Sequence, residues 1–109
     1  MISGLTTLTI TSSGGANVIT DLTASDLTSL TVNATTAFTI TNDITSATAL
    51  ATVDASGSTA AVDVDSTNST TAMTMTGGSG NDTLEGGSGN DTITGGAGDN
   101  VITGGDGND

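Results

Sequence analysis

The residues best suited to binding a ligand lie in a run of nonapeptide repeats at the C-terminal end. From Gly77 the chain repeats the pattern Gly-Gly-x-Gly-x-Asp-x-apolar-x in three full copies and a fourth that stops at its sixth position. Glycine at positions one, two and four permits sharp turns that direct backbone carbonyl oxygens at a common point. The Asp at position six adds a carboxylate, so each turn offers the hard oxygen ligands that calcium prefers.

Stacking of alternate turns predicts two calcium sites. In a solenoid each turn lies beside the next but one, so turn 77–82 faces 95–100 and turn 86–91 faces 104–109. The second pair has Asp at position six in both turns, whereas the first has Asn100, with Asp99 at position five. We expect the first site to be weaker or to recruit Asp99. The predicted ligands are Asp82, Asp91, Asp109, Asn100, Asp99, Gly77, Ser79, Gly86, Ser88, Gly96, Gly98, Gly105 and Gly107.

The charge balance excludes several functions. The chain has 109 residues, 12 of them acidic and none of them Lys, Arg, His or Cys, and its net charge is −12. Nucleic acids and anionic membranes are poor partners because nothing basic can neutralise phosphate, and no segment is long and apolar enough for membrane insertion. Zinc and copper sites want His or Cys. Without His, Cys or Lys no activated nucleophile can form, so we predict that the chain is not an enzyme.

The Thr- and Ala-rich region 1–76 contains short segments that alternate apolar residues with Thr, which is typical of half-buried strands. These segments recur at sequence steps of 21 or 22, which disorder does not explain. We predict inward columns of Leu8, Leu30, Ala51 and Met73; of Ile10, Val32, Val53 and Met75; and of Ile19, Ile40, Val62 and Leu84, with an outward ladder of Thr9, Thr31, Thr52 and Thr74. Asp21, Asp43 and Asp65 form a third series, either solvated turn residues or a secondary cation column.

Together these periods predict an all-β fold, a parallel β-solenoid. The period of its coils is about 21–22 in the N-terminal part and narrows to 18, two nonapeptides, in a C-terminal β-roll. We divide the solenoid into residues 1–76, the Thr/Ala-rich coils, and residues 77–109, the calcium-binding roll, continuous with each other. The fourth repeat stops at its sixth position, so we expect a fragment of a longer polypeptide.

The nonapeptides at 77–109 resemble the RTX, or haemolysin-type, calcium-binding repeat family. The whole chain resembles part of a calcium-dependent bacterial surface-layer protein. The RTX resemblance implies type I secretion and calcium-driven folding outside the cell, and the surface-layer resemblance implies self-association into a lattice or filament. We therefore expect a secreted, structural, calcium-stabilised segment of a cell-surface assembly. The alternatives are the repeat domain of a secreted enzyme, toxin or adhesin, and an ice-binding surface on the Thr ladder.

Overall fold

The computed structural model describes residues 3–41, 44 and 48–109, and the described chain forms ten short strands. Their bounds are β1 Thr7–Ser12, β2 Asn17–Ile19, β3 Ser29–Ala34, β4 Phe38–Ile40, β5 Thr52–Asp54, β6 Val62–Asp65, β7 Thr74–Thr76, β8 Thr83–Glu85, β9 Thr92–Thr94 and β10 Val101–Thr103. Within those described ranges, no helix has the length and hydropathy needed to cross a membrane.

Odd- and even-numbered strands form two separate five-stranded sheets. One sheet has the order β1-β3-β5-β7-β9 and the other β2-β4-β6-β8-β10, and the strand pairs in both are parallel. Each coil of the chain therefore adds one strand to each sheet before the next coil stacks on it. The predicted all-β, parallel β-solenoid is confirmed.

The coils shorten toward the C-terminal end. In the first sheet Leu8 pairs with Leu30, Leu30 with Val53, Val53 with Met75 and Met75 with Ile93, at sequence steps of 22, 23, 22 and 18. In the second sheet the corresponding steps, from β2 to β10, are 21, 24, 20 and 18. The narrowing to a period of 18 is confirmed, while the coils before it vary more than the predicted 21–22.

Both predicted inner columns of the first sheet are wrong by two residues from the third coil on, because Val53 and Met75 belong to the column of Leu8 and not to that of Ile10 and Val32. Leu30 pairs with Val53 instead of Ala51, so the column that begins at Leu8 continues through Val53 and Met75. Val53 is fully buried, whereas Ala51 is exposed ahead of β5. A shift of two residues keeps the same side chains on the inner face, and this one places the larger side chain in the core.

Two further predicted alignments fail because the strand register is again shifted by two residues. Ile40 pairs with Val64, because Val62 is taken by Phe38. On the outer face of the first sheet, Thr31 lies opposite Asp54, so the predicted Thr ladder is interrupted there.

The core is a thin layer of aliphatic side chains between the two sheets. Its buried apolar members are Ala24, Leu27, Leu30, Val32, Ala34, Phe38, Ile40, Ile44, Leu50, Val53, Ala55, Val62, Val64, Met73, Met75 and Leu84. Beyond Leu84 the layer thins, since Ile93 is partly buried and Ile102 is 47% exposed. The nonapeptide coils thus bury little apolar surface and depend more on their turns.

In the N-terminal coils, buried serines join one coil to the next. The Ser58 hydroxyl donates to the Val32 carbonyl oxygen at 2.8 Å and accepts the Ala34 N–H at 3.0 Å. On the opposite edge the Ser69 hydroxyl donates to the Leu50 carbonyl at 2.9 Å. These contacts satisfy backbone groups between coils without a cation.

The predicted acidic series consists of Asp21, Asp43 and Asp65. Asp21 and Asp65, whose contacts the structure describes, make the local hydrogen bonds of turn residues. Asp65 Oδ1 accepts the backbone N–H of Thr67 at 3.0 Å and its hydroxyl at 2.8 Å. Asp21 Oδ1 accepts the Thr23 hydroxyl at 3.4 Å. Such local bonds to a residue two positions later are typical of turn-forming Asp. Asp43 lies outside the described residues.

Candidate metal centre

The nonapeptide turns stack in the predicted pairs. On one edge of the roll the N–H of Ala97 donates to the Gly78 carbonyl at 3.0 Å, which sets turn 95–100 on turn 77–82. On the other edge the N–H of Asp106 donates to the Gly87 carbonyl at 3.0 Å. Turn 104–109 therefore lies on turn 86–91. The two turns of each pair are 18 residues apart in the sequence. They stack because the coils here also have a period of 18.

In each pair we call the turn that comes first in the sequence the lower turn and the later one the upper turn. The upper turn requires glycine for two reasons. Gly96 and Gly105 have φ of 83° and 102°, in the left-handed region that L side chains rarely adopt. A Cβ on Gly96 would also collide with the Gly78 carbonyl oxygen, and one on Gly105 with that of Gly87. The carbonyls that approach Gly96 and Gly105 lie where the two turns of each pair meet, and we call that meeting place the gap of the pair.

Four carbonyls of the lower turns, which the predicted ligand set omits, also lie against the glycines of the upper turns. The oxygens of Gly78 and Gly80 face Gly96 and Gly98, and on the other edge Gly87 and Gly89 face their counterparts in the same way. These residues occupy positions two and four of the first two repeats. Their place in the motif was the available signal, since positions two and four of the last two repeats were predicted.

The position-six carboxylates of the first two repeats are buried. Asp82 and Asp91 are 1% and 3% exposed. Asp82 accepts the N–H of Val62 at 2.9 Å and that of Gly78 at 2.7 Å. Each carboxylate therefore ties its own turn to the coil before it.

Asp91 repeats the arrangement on the opposite edge. It accepts the N–H of Met73 at 2.8 Å and that of Gly87 at 3.1 Å. The described partners of both anions are neutral N–H groups, and the chain has no basic side chain to compensate the charges. Burying a charge is costly; the two N–H groups offset part of that cost for each carboxylate, and a nearby cation would offset more.

In the last two repeats, position six makes the same backbone contact. Asp109 Oδ1 accepts the N–H of Asp91 at 2.9 Å, and Asn100 Oδ1 accepts the N–H of Asp82 at 2.8 Å. The second atom of each side chain turns back toward the first glycine of its own turn. Carboxylate and amide thus occupy equivalent positions, one in each gap.

The described contacts of the remaining predicted ligands are mainly backbone hydrogen bonds. Ser79 and Ser88 donate their N–H groups to the carbonyls of Ser58 and Ser69, at 3.0 and 2.9 Å. Asp99 is exposed and donates its N–H to Asn81 Oδ1 at 2.9 Å.

Gly77 and Gly86 begin the lower turns of the two pairs. Their N–H groups donate to the carbonyls of Thr94 and Thr103, each at 2.8 Å. The carbonyl oxygens of Gly77 and Gly86 lie beside Gly96 and Gly105, on the rim of each gap.

The donor set fits calcium better than a transition metal. Among the described residues no three His, Cys, Asp or Glu side chains form a metal-binding group. Carbonyl oxygens instead supply most of the candidate ligands, with one or two carboxylates per gap. Calcium accepts such mixed oxygen ligands in flexible geometry, whereas zinc requires a compact set of nitrogen or sulfur donors.

Residues 76–109 match the family model of the RTX calcium-binding nonapeptide repeat, in four copies. Searches of curated proteins and of solved structures return no match. The C-terminal third of the chain therefore consists of RTX repeats, which confirms the predicted family, and its cofactor is Ca²⁺. An RTX roll is a structural repeat and carries no catalytic group of its own.

Proposed function

We propose that these RTX repeats form the calcium-stabilised end of a structural solenoid segment in a secreted bacterial cell-surface assembly such as an S-layer or filament. The single observation that carries the proposal is the stacking of the turns. It places glycine carbonyls on one side of each gap and buried Asp82 and Asp91 beside them, with no basic side chain in the chain. Calcium supplies the missing positive charge.

The gap between turns 86–91 and 104–109 is the principal proposed site. Asp91 and Asp109 supply carboxylates there, and the lower turn supplies the carbonyls of Gly86 and Gly87. Binding to the folded state alone stabilises the folded state by mass action. Extracellular calcium modules bind at about 10⁻⁴–10⁻³ M, which suits a protein that folds after secretion.

The two outer strands of the second sheet support self-association. The outer row of that sheet begins at Val18 on β2 and ends at Val101 on β10, which are 59% and 60% exposed. The inner column of the same sheet likewise begins at Ile19 and ends at Ile102. A second copy stacked head to tail would place Val101 on Val18 and Ile102 on Ile19, and so continue both rows.

Such an interface is heterologous, so it propagates instead of closing into a dimer. The segments around both outer strands, residues 17–20 and 100–103, also read Asn-Val-Ile-Thr, so the incoming strand meets the side chains of its own sequence. Parallel pairing would satisfy the backbone groups that an edge strand leaves open. We therefore propose that copies of this segment associate through strands β2 and β10.

A calcium titration followed by circular dichroism, with electron microscopy of the calcium-bound sample, tests the proposal. We expect strand content to rise with calcium and filaments or sheets to form. Val101→Lys should abolish the filaments and leave the calcium-induced circular dichroism change intact. The matched control Thr31→Lys adds the same charge to the outer face of β3, which is paired on both sides, and should leave assembly unchanged.

Two outcomes contradict the proposal. Strand content that is high without calcium and unaffected by it removes the calcium role. A calcium-folded monomer at all concentrations removes the assembly role. That second result would favour the alternative, an RTX repeat domain of a secreted enzyme, toxin or adhesin whose active module lies outside this sequence.

A further inference from the structure

Asn100 differs from the other position-six residues in the side-chain atom that faces the first glycine of its own turn. In three of the four repeats a carboxylate oxygen lies over the first glycine. Asp82 Oδ2 and Asp91 Oδ2 come within 2.7 and 2.6 Å of where a Cβ on Gly77 or Gly86 would be. In the third repeat the atom at that place is Asn100 Nδ2, within 2.7 Å of the corresponding point on Gly95.

The orientation of the Asn100 amide is fixed by the coil below it. The amide oxygen accepts the N–H of Asp82 at 2.8 Å, and a flipped amide would set its NH₂ against that N–H. The NH₂ group therefore faces its own turn. There it donates to the carbonyls of Ala97 and Gly96, at 3.3 and 3.5 Å, long bonds shared by one nitrogen.

We propose that the Asn100 amide takes the place of a cation in its own turn, so that the pair of turns 77–82 and 95–100 is held by hydrogen bonds and binds no calcium. This inference rests on the proposed function, because it assigns which of the two gaps binds the metal. Carbonyl dipoles that converge need a positive partner, and the two NH₂ hydrogens supply one. An N–H group at a ligand position also excludes calcium, which binds oxygen.

The same device occurs in a turn that lies outside the RTX match. Asn17 begins β2 in the sequence Asn-Val-Ile-Thr, and Asn100 stands immediately before β10 in the same sequence. Its Nδ2 atom donates to the Ser12 hydroxyl and the Gly15 carbonyl, each at 2.8 Å, and to the Ser13 carbonyl at 3.4 Å. An amide that bonds to its own turn thus holds that turn together in a coil that has no position-six Asp.

Position five of the repeat offers a matched control for replacing an amide with a carboxylate. The Oδ1 atoms of Asn81 and Asn90 accept the N–H groups of Asp99 and Asn108, in the coil that follows each of them, at 2.9 and 3.0 Å. Position-five side chains thus reach forward to the next coil, whereas position-six side chains reach back. The third repeat already carries Asp at position five, so Asn81→Asp makes the same atomic change as Asn100→Asp in the same pair of turns, at a side chain that accepts the Asp99 N–H and does not face the first glycine of its own turn.

Equilibrium dialysis with calcium and thermal melts in EGTA test the inference on the whole chain. We expect Asn100→Asp to bind one more Ca²⁺ per chain than the wild type, and Asn81→Asp to bind the same number as the wild type. In EGTA, Asn100→Asp should melt at a lower temperature than Asn81→Asp, because its carboxylate repels the Gly96 and Ala97 carbonyls. Dialysis counts bound calcium even if the calcium-free variant is unfolded.

The inference and the proposed function fail differently. Unchanged calcium stoichiometry in Asn100→Asp, with a wild type that binds calcium, overturns the inference alone. A wild type that already fills both gaps with similar affinity also overturns it. A wild type that binds no calcium overturns the proposed function and the inference with it.

Discussion

Asp109 and Asp91 are joined by a hydrogen bond of 2.9 Å, from the backbone N–H of Asp91 to Oδ1 of Asp109. Asp91 repeats the contact one coil earlier, where its Oδ1 accepts the N–H of Met73 at 2.8 Å. Position-six carboxylates therefore form a ladder along this edge of the roll. On the other edge the ladder runs from Val62 through Asp82 and ends in the amide of Asn100.

The two ladders predict that replacing the position-six Asp with Ala lowers the free energy of unfolding by different amounts on the two edges. Asp82→Ala and Asp91→Ala each leave two buried N–H groups without partners, so each should cost about 2–3 kcal/mol of unfolding free energy in EGTA. In saturating calcium, Asp91→Ala should lose more than Asp82→Ala, because it also removes a ligand of the principal site. Urea denaturation under both conditions measures the four values. Equal losses in calcium would argue against unequal sites.

The sequence revealed the repeating unit and the turn pairing more reliably than the strand register. The pairing of the nonapeptide turns could be predicted because the motif fixes the position of each glycine and of the Asp within the nine residues. The register between β3 and β5 did not, because Ala51, Val53 and Ala55 can each face inward. Packing decides among them, and Val53 fills the column under Leu30 while Ala55 is also buried. Alternation alone cannot distinguish shifts of two residues.

The inward-facing amide could not be read from the sequence either. Asn at position six indicated a weaker site, but its effect depends on which amide atom faces the turn. That orientation is set by the N–H of Asp82, one coil away. Long-range hydrogen bonds of this kind also give Ser58 and Ser69 their roles, although neither stands in a recognisable motif.

Two buried serines predict opposite outcomes for the same change. Ser58 and Ser66 are each 1% exposed. Ser58→Ala removes a hydroxyl that serves Val32 and Ala34, and should cost about 1–3 kcal/mol because it leaves a buried carbonyl and N–H unpaired. Ser66 Oγ has no hydrogen-bond partner within the described part of the chain, so Ser66→Ala should raise stability, by up to about 1 kcal/mol.

Chemical denaturation of both variants in saturating calcium measures this pair. Each serine is the control for the other, since the atoms removed are the same and the burial is equal. A destabilised Ser66→Ala would show that its hydroxyl is hydrogen-bonded in solution, for example to an internal water. A neutral Ser58→Ala would show that the coils are not held together by that hydroxyl.

Asp63 predicts a pH-dependent penalty on stability. It lies on the outer face of the second sheet between Thr39 and Thr83. Partial burial, and then the charge of Asp65, raises the pKa of the Asp63 carboxyl above its ordinary value of 3.8. The folded state therefore holds this proton more tightly than the unfolded state. Stability falls as pH rises from about 3.8 through the folded pKa, and the penalty is complete above it.

We therefore expect Asp63→Asn to raise the melting temperature at neutral pH and to leave it nearly unchanged below about pH 3.8, where Asp63 is protonated in both states. Asp54 is the control with the opposite sign. The Ser56 hydroxyl and then its backbone N–H lower the pKa of Asp54, so its charge stabilises the fold at neutral pH and that contribution is lost as pH falls through the folded pKa. Asp54→Asn should accordingly lower the melting temperature at neutral pH. Melts of both variants in EGTA across this range separate these effects from calcium release, and a destabilised Asp63→Asn at neutral pH would contradict the assignment.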